Sequence, residues 1–176
     1  MKKTRIAING AGRIGRAFLK AAWDRPEVEI VALNDLTSID NIAYLLKYDS
    51  VYGVSALDIK VEGGNLVING QTVRYVSEKD PKTLPWKELN VDVVVESTGF
   101  FTDYAAARAH IEAGAKKVVI SAPAKGPAAD ATEGMVLLSI NCDTLKEKII
   151  SSNASCTTNA SSPVVAIMNE TLGIEK

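Results

Sequence analysis

Histidine and cysteine are scarce in this chain: its 176 residues include one histidine, His110, and two cysteines, Cys142 and Cys156. That excludes a four-ligand Cys/His zinc site. No clustered carboxylates replace it, so no metal is expected. Charge of one sign is missing as well, since 20 Lys and Arg stand against 21 Asp and Glu with no long run of either. Nothing in that balance points to nucleic acid or an anionic membrane surface as a partner. No stretch approaches 18 apolar residues, and the apolar run after Arg5 ends at Asn9-Gly10, too short for a signal-peptide core. A cytoplasmic location is expected, and with it free thiols rather than a disulfide between Cys142 and Cys156.

What is present is the composition of an ordinary folded domain, 47% hydrophobic and 23% charged. The length predicts about one domain plus a remainder. Short apolar runs alternate with helical patterns. Residues 5–9 read as a strand, 13–23 as a helix and 28–33 as a second strand, together one βαβ unit. A helix at 39–48 follows, with Ser38 as its N-cap. Between 57 and 76 the pattern becomes short alternating strands, with Gly63-Gly64 and Asn69-Gly70 at hairpin turns. Further strands are predicted at 91–96, 118–120, 136–140 and 149–151, and helices at 103–113, closed by Gly114, and near 144–148. A last helix carries Ala160, Val164, Val165, Met168 and Leu172 on one face and ends at Gly173. The alternation predicts an α/β fold: a doubly wound, mostly parallel sheet covered on both sides, with a small antiparallel insertion.

Gly10, Gly12 and Gly15 form a G-x-G-x-x-G after the first predicted strand, at the opening of the first predicted helix. In that context the first glycine permits a tight turn and the second admits a pyrophosphate to the backbone. The third lets helix and strand pack closely. The helix start offers unpaired N–H groups to the phosphates. Asp35 lies 20 residues beyond Gly15, where a carboxylate accepts hydrogen bonds from adenosine ribose hydroxyls and repels a 2′-phosphate. These residues predict a dinucleotide, NAD rather than NADP, without naming a reaction.

Cys156, in Ser155-Cys156-Thr157-Thr158-Asn159, falls between the last predicted strand and a helix. A helix N-terminus favours a thiolate, and the Ser155 and Thr157 hydroxyls are placed to bind an anionic oxygen beside it. An inert buried cysteine is the competing reading.

Six segments in order resemble the glyceraldehyde-3-phosphate dehydrogenase family. They are Ile8-Asn9-Gly10-Ala11-Gly12-Arg13-Ile14-Gly15-Arg16, Asn34-Asp35, Tyr48-Asp49-Ser50-Val51, Glu96-Ser97-Thr98-Gly99-Phe100-Phe101, Ile120-Ser121-Ala122-Pro123 and Ser152-Asn153-Ala154-Ser155-Cys156-Thr157-Thr158-Asn159. The resemblance implies a Rossmann-type NAD-binding domain over residues 1–153 and the first loop and helix of a catalytic domain over 154–176. It also implies a glycolytic reaction. The Cys156 thiolate attacks glyceraldehyde 3-phosphate, hydride passes to NAD, and inorganic phosphate releases the thioester as 1,3-bisphosphoglycerate.

By the same resemblance, Arg13 and Ile14 lie on the pyrophosphate, Asp35 on the ribose and Lys79, where an arginine is usual, near the adenine. Thr98 and Ser121 line the nicotinamide side. Ser155 and Thr157 contact substrate or phosphate, and the Cys156 N–H holds the oxyanion. A homotetramer is expected for the full-length family member. Ala11 and Tyr52 depart from a usual phenylalanine and histidine, Ala160 from a frequent second cysteine, and Pro163 is expected to kink the last helix. Family members are about twice this long, and their acid–base histidine lies beyond Lys176. His110, expected on a helix surface, is no substitute, so this chain alone is expected to bind NAD without turnover. Erythrose-4-phosphate dehydrogenase and a non-catalytic NAD-binding module are the rival readings.

Overall fold

A computed structural model describes residues 2–175. The first βαβ unit is β1 (Thr4–Asn9), α1 (Arg13–Ala22) and β2 (Val28–Asn34). After it come α2 (Ile39–Lys47), a two-stranded antiparallel pair β3 (Tyr48–Asp49) and β4 (Gly53–Val54), and the meander β5 (Ile59–Glu62), β6 (Asn65–Ile68) and β7 (Gln71–Val76). Then follow β8 (Val93–Glu96), α3 (Tyr104–Ala107), α4 (Ala109–Glu112), β9 (Lys117–Ile120), β10 (Glu133–Met135), β11 (Ile150–Ser152) and α5 (Cys156–Thr171). Short 3-10 turns stand at Pro81–Thr83 and Cys142–Glu147.

Nine strands form one sheet in the order β10-β11-β9-β8-β1-β2-β7-β6-β5. From β10 to β7 every pair is parallel, and only β6 runs against its two neighbours. The insertion predicted at 57–76 is therefore the edge of the main sheet, joined to it by β7 pairing with β2. Its turns are those expected, with Asn69 and Gly70 both at positive φ, as a two-residue hairpin turn of the primed type requires.

Alternation along each strand feeds two cores. Ala7 and Ala32 face one side and pack in a cluster with Trp86, Val94, Tyr104, Val118, Ile120 and Ile150. Their neighbours Ile8 and Leu33 face the other, among Leu19, Ile42, Leu46, Leu66 and Ile68. Each of these large side chains contributes about 1.5–3 kcal/mol by its burial. A parallel sheet apolar on both faces needs cover on both, and α1 and α2 supply one side while 81–91, α3 and α4 supply the other.

Three local expectations are corrected. The strand predicted at 136–140 lies at Glu133–Met135 instead. The Asn141 side chain accepts from the Leu137 N–H at 2.8 Å, and Ser139 takes φ 65°, so the apolar run turns and leaves Leu138 exposed. The helix predicted at 103–113 is two short helices that meet at Arg108. Asp103 caps the first by accepting from the Ala106 N–H at 2.7 Å. At the junction the Arg108 guanidinium leaves to pair with the buried carboxylate of Glu133. Ser38 stands at the start of α2, but its hydroxyl makes no capping bond.

Candidate cofactor and catalytic site

The strand order reverses at β1, which is followed in sequence by its neighbour on one side and joined by β8 on the other. In doubly wound sheets ligands bind at the carboxyl ends of the strands at such a switch point. A cleft of about 420 Å³ opens there, lined by Asn9, Gly10, Gly12, Asn34, Asp35, Leu36, Glu78, Lys79, Ser97, Thr98, Phe100 and Phe101. Its walls are the loops leaving β1, β2, β7 and β8.

The glycine turn does what its spacing requires. Gly10 has φ +96°, and a Cβ there would stand 2.7 Å from the Thr98 nitrogen. A Cβ on Gly15 would stand 2.0 Å from the Gly10 carbonyl oxygen, so α1 sits as close to β1 as backbone allows. Gly12 has no atom within 4 Å of where its Cβ would be, and no side chain caps α1. The first N–H groups of α1 thus face open space, a cradle suited to a pyrophosphate. Arg13 and Ile14 stand exposed on that first turn. The Asp35 carboxylate closes the other side of the turn, accepting from the Ala11 N–H at 2.7 Å and the Thr37 N–H at 2.8 Å. Tyr75 braces the same corner, its single hydroxyl hydrogen donated to the Thr37 carbonyl oxygen with the Asp35 carbonyl oxygen 3.2 Å away. Burial first, and then the Asp35 charge, pushes its phenol up to about 12.

Lys79 and Thr98 lie in the same cleft, at the β7 and β8 ends. Ser121 does not line it. It follows β9 and donates its N–H to the Glu96 carbonyl at 2.9 Å. Cys156 is also outside the cleft but on the same carboxyl edge, as the first residue of α5 after β11, and its thiol is exposed and free. β11 is three strands from β1, so at about 4.8 Å per strand the ends of the two strands lie roughly 14 Å apart across the sheet.

The loop before Cys156 is held tightly. Ala154 is buried at φ 57°, a left-handed conformation that a non-glycine residue adopts at a cost of about 1 kcal/mol or more. The Asn159 side chain donates to the Asn153 and Ser155 carbonyls at 2.7 and 3.0 Å. The Ser155 hydroxyl caps α5 by accepting from the Thr158 N–H at 3.0 Å, and it lies 2.9 Å from the Thr157 hydroxyl and 2.7 Å from that of Thr158. The N–H groups of Cys156 and Thr157 precede the first intrahelical donor and can hold an oxyanion. α5 continues through Pro163 as one helix of 16 residues, although the ring removes the bond that the Asn159 carbonyl would receive.

His110 is the largest correction. It is fully buried, with Nδ1 3.0 Å from the Trp86 indole nitrogen and Nε2 3.0 Å from Glu96 Oε2. The ring is held between Trp86 and Glu96 and is closed off from solvent. Sequence reading also missed Asn9, Asn34, Glu78, Phe100 and Phe101 as cleft residues. Asn9 and Asn34 each end an apolar run at the strand terminus, the signal that could have found them. Among the described residues no three His, Cys, Asp or Glu side chains gather to hold a metal, and no helix is long and apolar enough to cross a membrane.

Residues 4–104 match the family described as "Glyceraldehyde 3-phosphate dehydrogenase, NAD binding domain". Over 170 residues, 97% of this chain and 50% of the relative, the sequence is 51% identical to the cytosolic glyceraldehyde-3-phosphate dehydrogenase of Trypanosoma brucei brucei. It is 48% identical over 172 residues to glyceraldehyde-3-phosphate dehydrogenase 1 of Bacillus subtilis (strain 168), covering 98% of this chain and 50% of that one. The Haemophilus influenzae glyceraldehyde-3-phosphate dehydrogenase is 46% identical over 171 residues, 97% of this chain and 49% of its own length. The chain spans about half the length of these curated relatives. With a cofactor cleft at the switch point and residues 4–104 matching its NAD-binding domain, the chain belongs to the glyceraldehyde-3-phosphate dehydrogenase family.

Proposed function

We propose that this chain is the NAD-binding half and the thiol-bearing start of the catalytic half of a phosphorylating glyceraldehyde-3-phosphate dehydrogenase, the boundary falling near residue 153. The observation that carries the reading is the shared edge. The glycine turn and Asp35 open on the same carboxyl end of the sheet as the loop that carries Cys156. The open N–H groups at the start of α1 hold the pyrophosphate, Asp35 the adenosine ribose and Lys79 the adenine end. Thr98 and Ser121 face the nicotinamide. When bound, NAD supplies the hydride acceptor.

The chain's own residues do the rest. Cys156 Sγ adds to the aldehyde carbon, and the N–H groups of Cys156 and Thr157 hold the carbonyl oxygen as charge develops on it. The Ser155–Thr157 hydroxyl pair orients the oxygens of substrate or inorganic phosphate. The complete enzyme is a cytoplasmic glycolytic homotetramer. One observation favours a second reading for this chain alone: His110 is buried in the cofactor half, so no imidazole of this sequence reaches Cys156. By itself the chain is then an NAD-binding module without turnover.

Titration of NAD and NADP into the chain, followed by crystals soaked with NAD, tests this. The expected result is binding of NAD in preference to NADP, the adenosine ribose on Asp35 and the nicotinamide facing Cys156 Sγ. Asp35→Asn is expected to weaken NAD about tenfold and to narrow its advantage over NADP. A ring lying away from Cys156, or equal affinity of the wild-type chain for the two cofactors, would overturn the reading. Steady NADH production from aldehyde and phosphate by this chain alone would overturn the module reading.

A further inference from the structure

The carboxylate of Glu96, at the end of β8, is 2% exposed and has four donors converging on it. Oε1 accepts from the Thr98 N–H at 2.8 Å and the Thr98 hydroxyl at 2.5 Å. Oε2 accepts from the Asn9 amide at 2.5 Å and from His110 Nε2 at 3.0 Å. The ring's tautomer follows from its other neighbour. The Trp86 indole nitrogen is a donor only and lies 3.0 Å from His110 Nδ1, so Nδ1 presents its lone pair and Nε2 carries the hydrogen aimed at Glu96. A carboxylate has room for four donors, and here all four sites are used.

We propose that Glu96 and His110 are positioning residues for the cofactor cleft, one buried carboxylate held by His110 tying its two walls together. This rests on the reading of the cleft as an NAD site. One wall hangs from Oε1: Thr98 is fixed at backbone and hydroxyl, and its hydroxyl in turn accepts from the Phe100 N–H at 3.1 Å. The other hangs from Oε2 through Asn9. Asn9 Oδ1 accepts from the Asn34 amide at 2.7 Å. Asn34 pairs with Glu78 in both directions, to its carbonyl at 2.9 Å and from its N–H at 2.9 Å, which sets the position of Lys79. Neither His110 nor Trp86 lines the cleft. His110 stands behind its wall, edge-on to Phe101 with ring centroids 6.2 Å apart and 3.4 Å from the Asn9 amide, and with Trp86 it completes the donor set that fixes it. Loss of one donor leaves a buried carboxylate under-satisfied, a large effect for so small a change.

The test compares His110→Leu, which removes donor and acceptor, with His110→Gln, whose amide can restore both. Leu46→Ala, in the opposite core, controls for lost stability alone. NAD affinity is read by calorimetry. Heteronuclear NMR reads the amides of Thr98, Phe100 and Glu78 and the Trp86 indole N–H. H110L is expected to bind NAD about tenfold more weakly, with those three amides displaced. H110Q is expected to recover to within about threefold of wild type, and L46A to lose stability with NAD affinity unchanged. The proposal is overturned if a folded H110L binds NAD as wild type does, if H110Q is as impaired as H110L, or if L46A weakens NAD equally. Should H110L fail to fold, Trp86→Phe serves: displacement of the Thr98 amide supports the proposal and an unmoved one overturns it. If the wild-type chain binds no NAD, the cofactor reading fails, while the amide displacements in H110L still decide whether His110 positions Thr98 and Glu78.

Discussion

A methyl group on Gly15 would stand 2.0 Å from the Gly10 carbonyl oxygen and 2.9 Å from the Ser97 hydroxyl, inside the contact distance of every atom it meets. Both neighbours are anchored. The Gly10 N–H is bonded to the Asn34 carbonyl at 2.8 Å, and Ser97 Oγ donates to the Gly10 carbonyl at 2.8 Å. Gly15→Ala is therefore expected to push α1 off β1, cost about 3 kcal/mol in urea unfolding and abolish NAD binding. Gly12→Ala separates stability from binding. At φ −64° with open space around it, the variant is expected to unfold within about 0.5 kcal/mol of wild type while losing NAD at least tenfold, because the methyl occupies the phosphate's place. Equal NAD affinity in Gly12→Ala would remove the pyrophosphate from that turn.

Asp92 gives the fold an acid-sensitive joint. Its carboxylate accepts from the Arg5 backbone N–H at 2.9 Å and from Lys116 Nζ at 2.5 Å, fastening the start of β1 to the entrance of β8. The backbone bond first, and then the Lys116 bond, holds the carboxyl below its ordinary 3.8. A depressed carboxyl contributes stability in full above its unfolded value and loses it as pH falls through the lower folded one. The contribution of Asp92 is thus expected to be present in full from neutral pH to about 4 and to be lost below that. Asp92→Asn should cost roughly 1–2 kcal/mol at neutral pH, at the lower end because Lys116 is exposed, and should flatten the acid limb. Thermal melts across that range check it; an acid limb unchanged in the variant would assign the sensitivity elsewhere.

α5 is capped at its first turn, and beyond it only Ser162, Pro163 and Ala166 are half-buried. Val164, Val165, Ile167, Met168 and Leu172 are all exposed, Leu172 to 80%, and no residue of the helix is buried. Without a packed face an isolated helix of this length is marginal in water. Backbone amides over 160–172 are expected to exchange within the fraying limit in a dilute monomer, while those of β1 and β8 exchange only on global unfolding. Slow exchange over 160–172 that persists on dilution would show that the helix has found cover within its own chain.

The glycine turn and the Asp35 corner were legible because their constraints are local: a left-handed φ at Gly10 and the contact at Gly15 follow from chain geometry within one βαβ unit. The hairpin turns were legible for the same reason. The strand at 136–140 was not, since one polar side chain, that of Asn141, bends an apolar run that reads as strand. His110 was misread because its burial depends on Trp86, 24 residues earlier, and on Glu96 across the packing interface. A helix period assigned to 103–113 cannot register partners that lie outside that segment.

The sequence by itself determined the alternation of strands and helices, the two apolar faces of the sheet, the cofactor turn and the thiol at a helix start, because each is written in residues close together along the chain. The tertiary structure alone decided that the antiparallel meander extends the main sheet and that one carboxylate, Glu96, holds both walls of the cleft. Those relationships join strands and loops dozens of residues apart, and such long-range pairing depends on packing and hydrogen-bond satisfaction that no local pattern encodes.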